Sequence, residues 1–195
     1  MAFEPYAART HEKMREVLMN PDVTGPAIHY YMVRGGKNKR NITVLETGTV
    51  GGEYIKTYGH YHIGELDETY WFLQGEGVVL QQKLVEENGT PNPFRVEEFK
   101  AIRVKAGDSV YMPAGYGHLM VNTGKVWLVM ADDSPVEGAD DSASIPGHAD
   151  YGAVKQLQGF AYYVVEKDGV PTLIPNQRYT EIRSRDFGGL PAVEN

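Results

Sequence analysis

Residues 107–122 read GDSVYMPAGYGHLMVN. The fixed positions follow the spacing Gly-x5-Pro-x-Gly-x2-His-x3-Asn and are Gly107, Pro113, Gly115, His118 and Asn122. Two short apolar runs on either side of a Pro-x-Gly turn predict two β-strands. The stretch therefore indicates a β-fold in which a histidine follows directly on a tight turn.

An earlier stretch, residues 60–75, reads HYHIGELDETYWFLQG. Alternate residues of a strand share a face, so the imidazoles of His60 and His62 can point the same way. Glu68 lies on the next predicted strand. Together with His118, these residues offer three imidazoles and one carboxylate. That donor set suits Fe(II), Mn(II), Ni(II) or Zn(II) and is poor for Ca(II) or Mg(II).

Two carboxylates, Glu68 and Glu65, could complete the predicted metal site. A His-x-His pair alone usually binds nothing, so the prediction of a metal site depends on both stretches. Glu68 precedes Gly75 by the interval x6 and begins the β-type run Glu68–Phe72, whereas Glu65 follows Gly64 in a predicted turn. We therefore predict Glu68 as the ligand and Glu65 as a solvated loop carboxylate.

Composition narrows the class of protein. The 195 residues include no cysteine, which excludes disulfides and thiolate metal sites. The net charge of -7 argues against nucleic acid or an anionic membrane as a partner. No apolar run approaches 18 residues, and the amino-terminal residues lack the pattern of a signal peptide. We expect a cytoplasmic protein with a small-molecule substrate.

The pattern along the chain predicts an all-β single domain. The 22 glycines and 11 prolines divide the sequence into short segments with turns every 8 to 12 residues, which is typical of a sandwich or barrel. A short helix is predicted over residues 10–19, with Thr10 as N-cap. Residues 132–152 are predicted to form a long loop, and the tail after Ile182 an extended or loose arm.

The predicted organisation has three parts: residues 1–25 form an amino-terminal helix and arm, 26–175 a barrel, and 176–195 a carboxy-terminal extension. The predicted strands, in chain order, cover residues 28–33, 43–47, 54–58, 69–73, 78–85, 95–104, 109–112, 119–122, 126–131, 162–166 and 170–174.

Both quoted stretches resemble the two sequence motifs of cupins, which are jelly-roll β-barrels. The interval of five residues between His62 and Glu68 is longer than the usual three or four. Three shorter runs make the resemblance specific to one family of cupins: KTYGHYH (residues 56–62), ETY (68–70) and GHADYG (147–152). Over roughly residues 40 to 170 the chain is similar to the cupin-type glucose-6-phosphate isomerases of archaea and some bacteria.

This resemblance implies interconversion of glucose 6-phosphate and fructose 6-phosphate by a homodimer that holds one divalent metal, Fe(II) in the first place. The ion would bind the O1 and O2 oxygens of the open-chain sugar and polarise its carbonyl. The resemblance implies Glu68 as the base that moves a proton at C2. A direct hydride shift between C1 and C2 is the alternative.

By position, the resemblance implies six substrate contacts. Phosphate contacts are Thr43, Thr57 and Gly59, and residues around the sugar are Tyr70, His148 and Tyr151. The resembled family also has a phosphate-contacting tyrosine just after the last barrel strand. In this sequence that position is occupied by Asp132–Asp133, which cannot bind an anion, so Tyr151 or a loop residue would have to take its place. Strand alternation would turn Thr57 away from His60, so a kink or bulge is expected, with Gly59 supplying it.

Two other functions fit the same four ligands. One is an Fe(II)-dependent cupin dioxygenase, and the other a non-enzymatic cupin that binds a metal or a sugar. A phosphate site would separate the isomerase from both, because the fold alone does not determine the function.

Overall fold

The computed structural model describes residues 7–33, 40–134 and 149–193, and most of its elements are strands. The strands are β1 (Ala7–Thr10), β2 (Ile28–Val33), β3 (Asn41–Leu45), β4 (Thr49–Val50), β5 (Glu53–Tyr54), β6 (Tyr61–His62), β7 (Glu68–Gln74), β8 (Glu76–Glu87), β9 (Thr90–Lys105), β10 (Ser109–Met112), β11 (Tyr116–Asn122), β12 (Leu128–Asp132), β13 (Ala149–Asp150), β14 (Tyr162–Lys167), β15 (Val170–Pro175) and β16 (Glu181–Asp186). The helices are α1 (His11–Met14) and α2 (Gly152–Gln156), and a 3-10 turn covers Arg15–Val17.

Two sheets enclose the core. The first sheet has the strand order β1-β2-β3-β12-β7-β10, and the second has the order β11-β8-β9-β16. A further sheet, β15-β14-β5-β4, is connected to the second by residues 55–62, which we call the site segment. The site segment pairs with β11 through the bridges Lys56–Val121 and His60–His118. The predicted all-β barrel with a short amino-terminal helix is confirmed.

Strand alternation fills the space between the sheets. Along β7, Glu68, Tyr70 and Phe72 are buried while Thr69 and Trp71 are half-buried on the opposite face. The same buried cluster contains residues of both sheets. Burying a large apolar side chain contributes about 1.5–3 kcal/mol, so this pattern fixes which face of each strand points inward. Polar residues that point inward are therefore candidates for function.

The amino-terminal helix is shorter than predicted. The Thr10 hydroxyl caps it by accepting a hydrogen bond from the backbone nitrogen of Lys13 at 3.3 Å. Beyond the 3-10 turn, the Val17 carbonyl accepts from Lys56 Nζ at 2.7 Å, and the Met19 nitrogen donates to Glu53 at 2.7 Å. Lys56 and Glu53 are themselves paired at 2.5 Å and buried. These side chains bind the backbone groups with which the helix would have continued.

Several other predicted elements begin or end at different residues in the structure. The predicted strand over residues 54–58 is formed only at Glu53–Tyr54, and residue 55 begins the site segment. The tail after Ile182 is not loose, because β16 pairs in parallel with β9 and Leu190 is buried. Within the predicted loop 132–152, residues 135–148 lie outside the described residues, and β13 and the start of α2 occupy its end. Helix α2 has no clear sequence signal.

Candidate metal centre and substrate cavity

Four side chains with metal-binding atoms meet between the two sheets. They are His60, His62, Glu68 and His118, and one ligand atom from each lies within 4.8 Å of all the others. All are buried except His60, which is half-buried. The ring centroids of His60 and His118 are 4.6 Å apart, and both rings lie 5.1 Å from that of His62. The two motifs, about fifty residues apart in sequence, therefore form one cluster.

The backbone orients the second histidine. Nδ1 of His62 lies 3.0 Å from the carbonyl oxygen of Leu66, so its Nε2 is the nitrogen that turns toward the cluster. Leu66 belongs to the turn between His62 and Glu68, which is longer than usual in cupins. A backbone carbonyl on the far nitrogen is the usual way in which a metal-binding histidine is held in one orientation.

The carboxylate of the cluster is Glu68, and Glu65 is exposed and outside it. Glu68 Oε1 lies 2.8 Å from His118 Nε2 and 3.3 Å from His62 Nε2. Burial alone would raise the pKa of Glu68, but the neighbouring imidazoles of His118 and His62 outweigh it and hold the pKa well below the ordinary value. The carboxylate is therefore ionised, as a metal ligand must be.

The cluster fits a metal ion better than it fits a network of hydrogen bonds. Within the described residues, neither Glu68 Oε1 nor the ring nitrogens of His118 have a hydrogen-bond partner of good geometry, although all are buried. Buried polar atoms left in this state cost about 1–3 kcal/mol each unless something else binds them. A divalent cation bound by three nitrogens and one oxygen would satisfy them together.

The bulge expected near Gly59 is present. Lys56 pairs with Val121 and His60 pairs with His118, so four steps along the site segment match three steps along β11. The extra residue lies beside Gly59, whose φ of +81° is in the left-handed region that favours glycine. As a result Thr57 and His60 both face the same cavity.

The cavity beside the cluster contains the predicted substrate contacts that the structure describes. Its lining includes Thr43, Thr57, Gly59, Tyr70 and Tyr151, together with His60 and His118. The ring centroid of Tyr151 is 5.6 Å from that of His60, and the centroid of Tyr70 is 5.7 Å from that of His118. His148 lies outside the described residues. A larger open groove lies elsewhere on the surface and is lined by none of these residues.

Sequence reasoning missed several cavity residues. They are Tyr30, Met32, Met120 and Met130; Asp132, where the resemblance placed the position of a family phosphate contact, also lines the cavity. Alternation could have pointed to Met120, which lies two residues after His118 on β11. The others come from β2 and β12, whose places in the first sheet are set by long-range pairing. Asp132 carries a negative charge into the cavity, where Oδ1 accepts a hydrogen bond from Asn41 Nδ2 at 2.8 Å.

A two-sheet barrel with this cluster inside it defines the chain as a cupin with a candidate metal centre. The family described as glucose-6-phosphate isomerase (GPI) matches residues 28–181. The chain therefore belongs to the glucose-6-phosphate isomerase family.

Individual relatives agree with this assignment. The glucose-6-phosphate isomerase of Thermococcus kodakarensis is 33% identical over 140 residues, which cover 71% of this chain and 63% of the relative. That of Thermococcus gammatolerans is 33% identical over 139 residues, covering 71% and 62%. The chain thus spans less than two thirds of the length of these curated relatives.

Among solved structures, one described as a predicted oxalate decarboxylase from Thermotoga maritima is 22% identical, covers 53% of this chain and 76% of that chain, and has a TM-score of 0.37. In the described part of the chain, no helix has the length and apolar character needed to cross a membrane.

Proposed function

We propose that this protein is a metal-dependent aldose–ketose isomerase that interconverts glucose 6-phosphate and fructose 6-phosphate. The observation that carries the proposal is one shared cavity: His60 and His118 of the four-residue cluster line the same space as five of the implied substrate contacts. Membership of the family supports the choice of substrate. As an enzyme of glycolysis and gluconeogenesis, it would act in the cytoplasm.

The ligands of the metal, in this proposal, are His60, His62, Glu68 and His118. Three imidazole nitrogens and a carboxylate suit Fe(II), which we propose as the native ion, and they also suit Mn(II), Ni(II) and Zn(II). When bound, a divalent ion would supply Lewis-acid polarisation of the sugar carbonyl.

Side chains of the protein would transfer the proton and bind the sugar and its phosphate. Glu68 is ionised and buried, so one of its oxygens would accept the proton from C2 of the sugar and return it at C1, while the hydroxyl proton passes from O2 to O1. Tyr70 lies beside His118 and Tyr151 beside His60, and both line the cavity, where they would contact the carbon chain of the sugar. Thr43, Thr57 and Gly59 would contact the phosphate, and His148 is kept as a proposed sugar contact.

One experiment tests this function directly. The purified protein is stripped with a chelator, loaded with single metals, and assayed for isomerisation of glucose 6-phosphate. We expect activity that returns with Fe(II) or a similar ion and stays absent with Mg(II). A dioxygenase would instead consume O2 with an organic substrate, and a non-enzymatic cupin would bind metal without turnover. Metal loading without isomerisation would refute the proposal.

We also propose a homodimer. The outward face of the first sheet carries apolar side chains that are direct cross-strand neighbours: Tyr31 pairs with Val44, and Val44 with Val129. An antiparallel sheet with an open outer face normally alternates apolar and polar residues, so this half-buried face suits a second copy of the chain. Light scattering after size exclusion tests this, and Val44→Glu should shift the mass toward the monomer. A monomeric parent protein would refute it.

A further inference from the structure

The substrate cavity lacks a cation among its described lining residues. A sugar phosphate carries a charge of about -1.5 to -2 at neutral pH. The implied phosphate contacts Thr43, Thr57 and Gly59 are neutral, and Asp132 adds a negative charge. Phosphate recognition generally uses Arg or Lys, so a positive side chain should stand within reach of the cavity.

Arg9 stands within that reach. It lies on β1, the edge strand of the first sheet, and its register partner on β2 is Tyr30. Direct cross-strand partners in an antiparallel pair project to the same face, and Tyr30 lines the cavity. The guanidinium carbon lies 6.0 Å from the ring centroid of Tyr151, another lining residue. Arg9 thus lies beside two aromatic rings of the cavity wall.

The same tyrosine connects Arg9 to the implied phosphate segment. The Tyr30 hydroxyl accepts a hydrogen bond from the backbone nitrogen of Tyr58 at 3.3 Å. Tyr58 lies between Thr57 and Gly59, the two contacts on the bulge. The Arg9 side chain and the Thr57–Gly59 segment are therefore both next to Tyr30.

Arg9 also has a hydrogen-bond donor, Nε, that is available to a ligand. Its Nε is buried and has no hydrogen-bond partner among the described residues. Burial alone would lower the pKa of Arg9, but Tyr30 and Tyr151 outweigh it and raise the pKa, so the group is charged. A buried guanidinium donor without a partner is costly, and an anionic ligand would remove that cost.

We propose that Arg9 binds the phosphate group of the substrate and supplies the positive charge that the cavity wall lacks. This rests on the proposed function. Residue 9 lies outside the span 28–181 that the family matches, so this contact would be a specificity-determining feature contributed by the amino-terminal strand.

The test measures phosphate affinity in the full-length, metal-loaded protein. Inorganic phosphate is titrated calorimetrically into the parent protein, Arg9→Gln and Arg9→Lys. The matched control is Arg15→Gln, which removes a half-buried arginine that lies outside the cavity lining and pairs with Glu12 and Asp22. Losing a charge-assisted hydrogen bond should weaken phosphate binding about tenfold to hundredfold in Arg9→Gln. Arg9→Lys, which keeps the charge, should lose less, and Arg15→Gln should match the parent.

Kinetics adds a second readout. In Arg9→Gln the KM for glucose 6-phosphate should rise by a factor similar to the loss of phosphate affinity, with kcat changed less. Melting temperatures show whether each variant is folded. If Arg9→Gln is misfolded, the parent protein is compared with Arg9→Lys instead. Equal phosphate affinity in the parent protein and both Arg9 variants would overturn the inference.

The two proposals can fail separately. If the parent protein isomerises glucose 6-phosphate while Arg9→Gln keeps its KM and phosphate affinity, the inference about Arg9 is wrong and the function stands. If the parent protein shows no isomerisation but Arg9→Gln still loses phosphate, the isomerase proposal is wrong and Arg9 is a phosphate-binding residue.

Discussion

Glu68 Oε1 lies 2.8 Å from Nε2 of His118, and yet the two atoms do not form a hydrogen bond of good geometry. Both side chains are buried, so bulk water does not reach them. A carboxylate and an imidazole this close would normally align as donor and acceptor. Two ligands that face a shared cation need no such alignment, because each directs a lone pair at the ion.

The first prediction concerns metal content. His118→Ala should weaken metal binding by more than about hundredfold, because even indirect supporting groups commonly account for 10- to 100-fold. His11→Ala and His29→Ala should keep their metal, since both residues lie outside the cluster. Elemental analysis after dialysis gives the metal content per chain. Equal content in all three variants would contradict the ligand assignment.

The second prediction separates ligand from base at Glu68. Glu68→Gln should lower turnover more than metal content, because an amide oxygen still coordinates weakly but cannot accept the C2 proton. Elemental analysis and kcat are measured on the same preparation. If hydride shift is the mechanism, activity should fall only in proportion to the metal lost.

Deuterated water gives an independent measurement of the same step. Proton transfer through Glu68 should place solvent deuterium in the product, and a hydride shift should place none. Because a shielded base can return the proton it took, the presence of label is stronger evidence than its absence. Full metal loading, unchanged turnover in Glu68→Gln and unlabelled product would together rule out the role of base.

The third prediction concerns the bulge. At Gly59, an added Cβ would meet Phe160 at 3.1 Å and Leu119 at 3.2 Å, and φ is +81°. Gly59→Ala should therefore lower the free energy of unfolding by about 2–4 kcal/mol, from backbone strain and crowding combined. Gly52→Ala is the matched control, because its φ is +89° with no atom within 4 Å.

The control should lose only the strain, about 1–2 kcal/mol. Urea unfolding of both variants gives the difference between them. The crowded position should also move His60, so Gly59→Ala should bind metal less tightly than Gly52→Ala. Equal destabilisation would show that crowding at the bulge has no effect.

The fourth prediction concerns acid stability. Burial lowers the pKa of His29 to about 4, and the neighbouring side chains of His11 and Lys56 add to the effect. The unfolded chain takes up this proton near pH 6.5, whereas the folded chain does so only near pH 4. The stability contributed by neutral His29 is therefore complete above about pH 6.5 and is lost as the pH falls to about 4, by up to about 1.4 kcal/mol per pH unit.

Urea unfolding at pH 7, 5.5 and 4.5 checks this effect in the parent protein and in His29→Gln. A glutamine stays neutral, so the variant should lose less stability on acidification. The ligand histidines are the same in both proteins, so their contribution cancels in the comparison. Parallel curves for the two proteins would exclude His29 as the source.

Local spacing explains how much of the site could be predicted. His60, His62, Glu68 and His118 lie in two short stretches whose geometry follows from strand alternation and a tight turn. The bulge could be predicted because the family resemblance required Thr57 and His60, which differ in strand parity, to face one cavity. Such features depend on a few neighbouring residues, and a sequence records them directly.

Long-range pairing explains what could not be predicted. Tyr30 and Met130 reach the cavity only because β2 and β12 both pair with β3, which no local pattern specifies. Arg9 depends on an edge strand with a register shift beside it. The early end of the helix at Met14 depends on side chains nearly forty residues away.

The buried pair of Glu53 and Lys56 has a consequence for the modularity of the molecule. These side chains bind the backbone at Val17 and Met19, which precede the family-matched span, and they adjoin the segment that carries His60. A protein cut back to residues 28–181 would keep both buried charges and lose the backbone groups that solvate them, at a cost of several kcal/mol. The family-matched span, residues 28–181, is therefore smaller than the part of the chain that has to fold together.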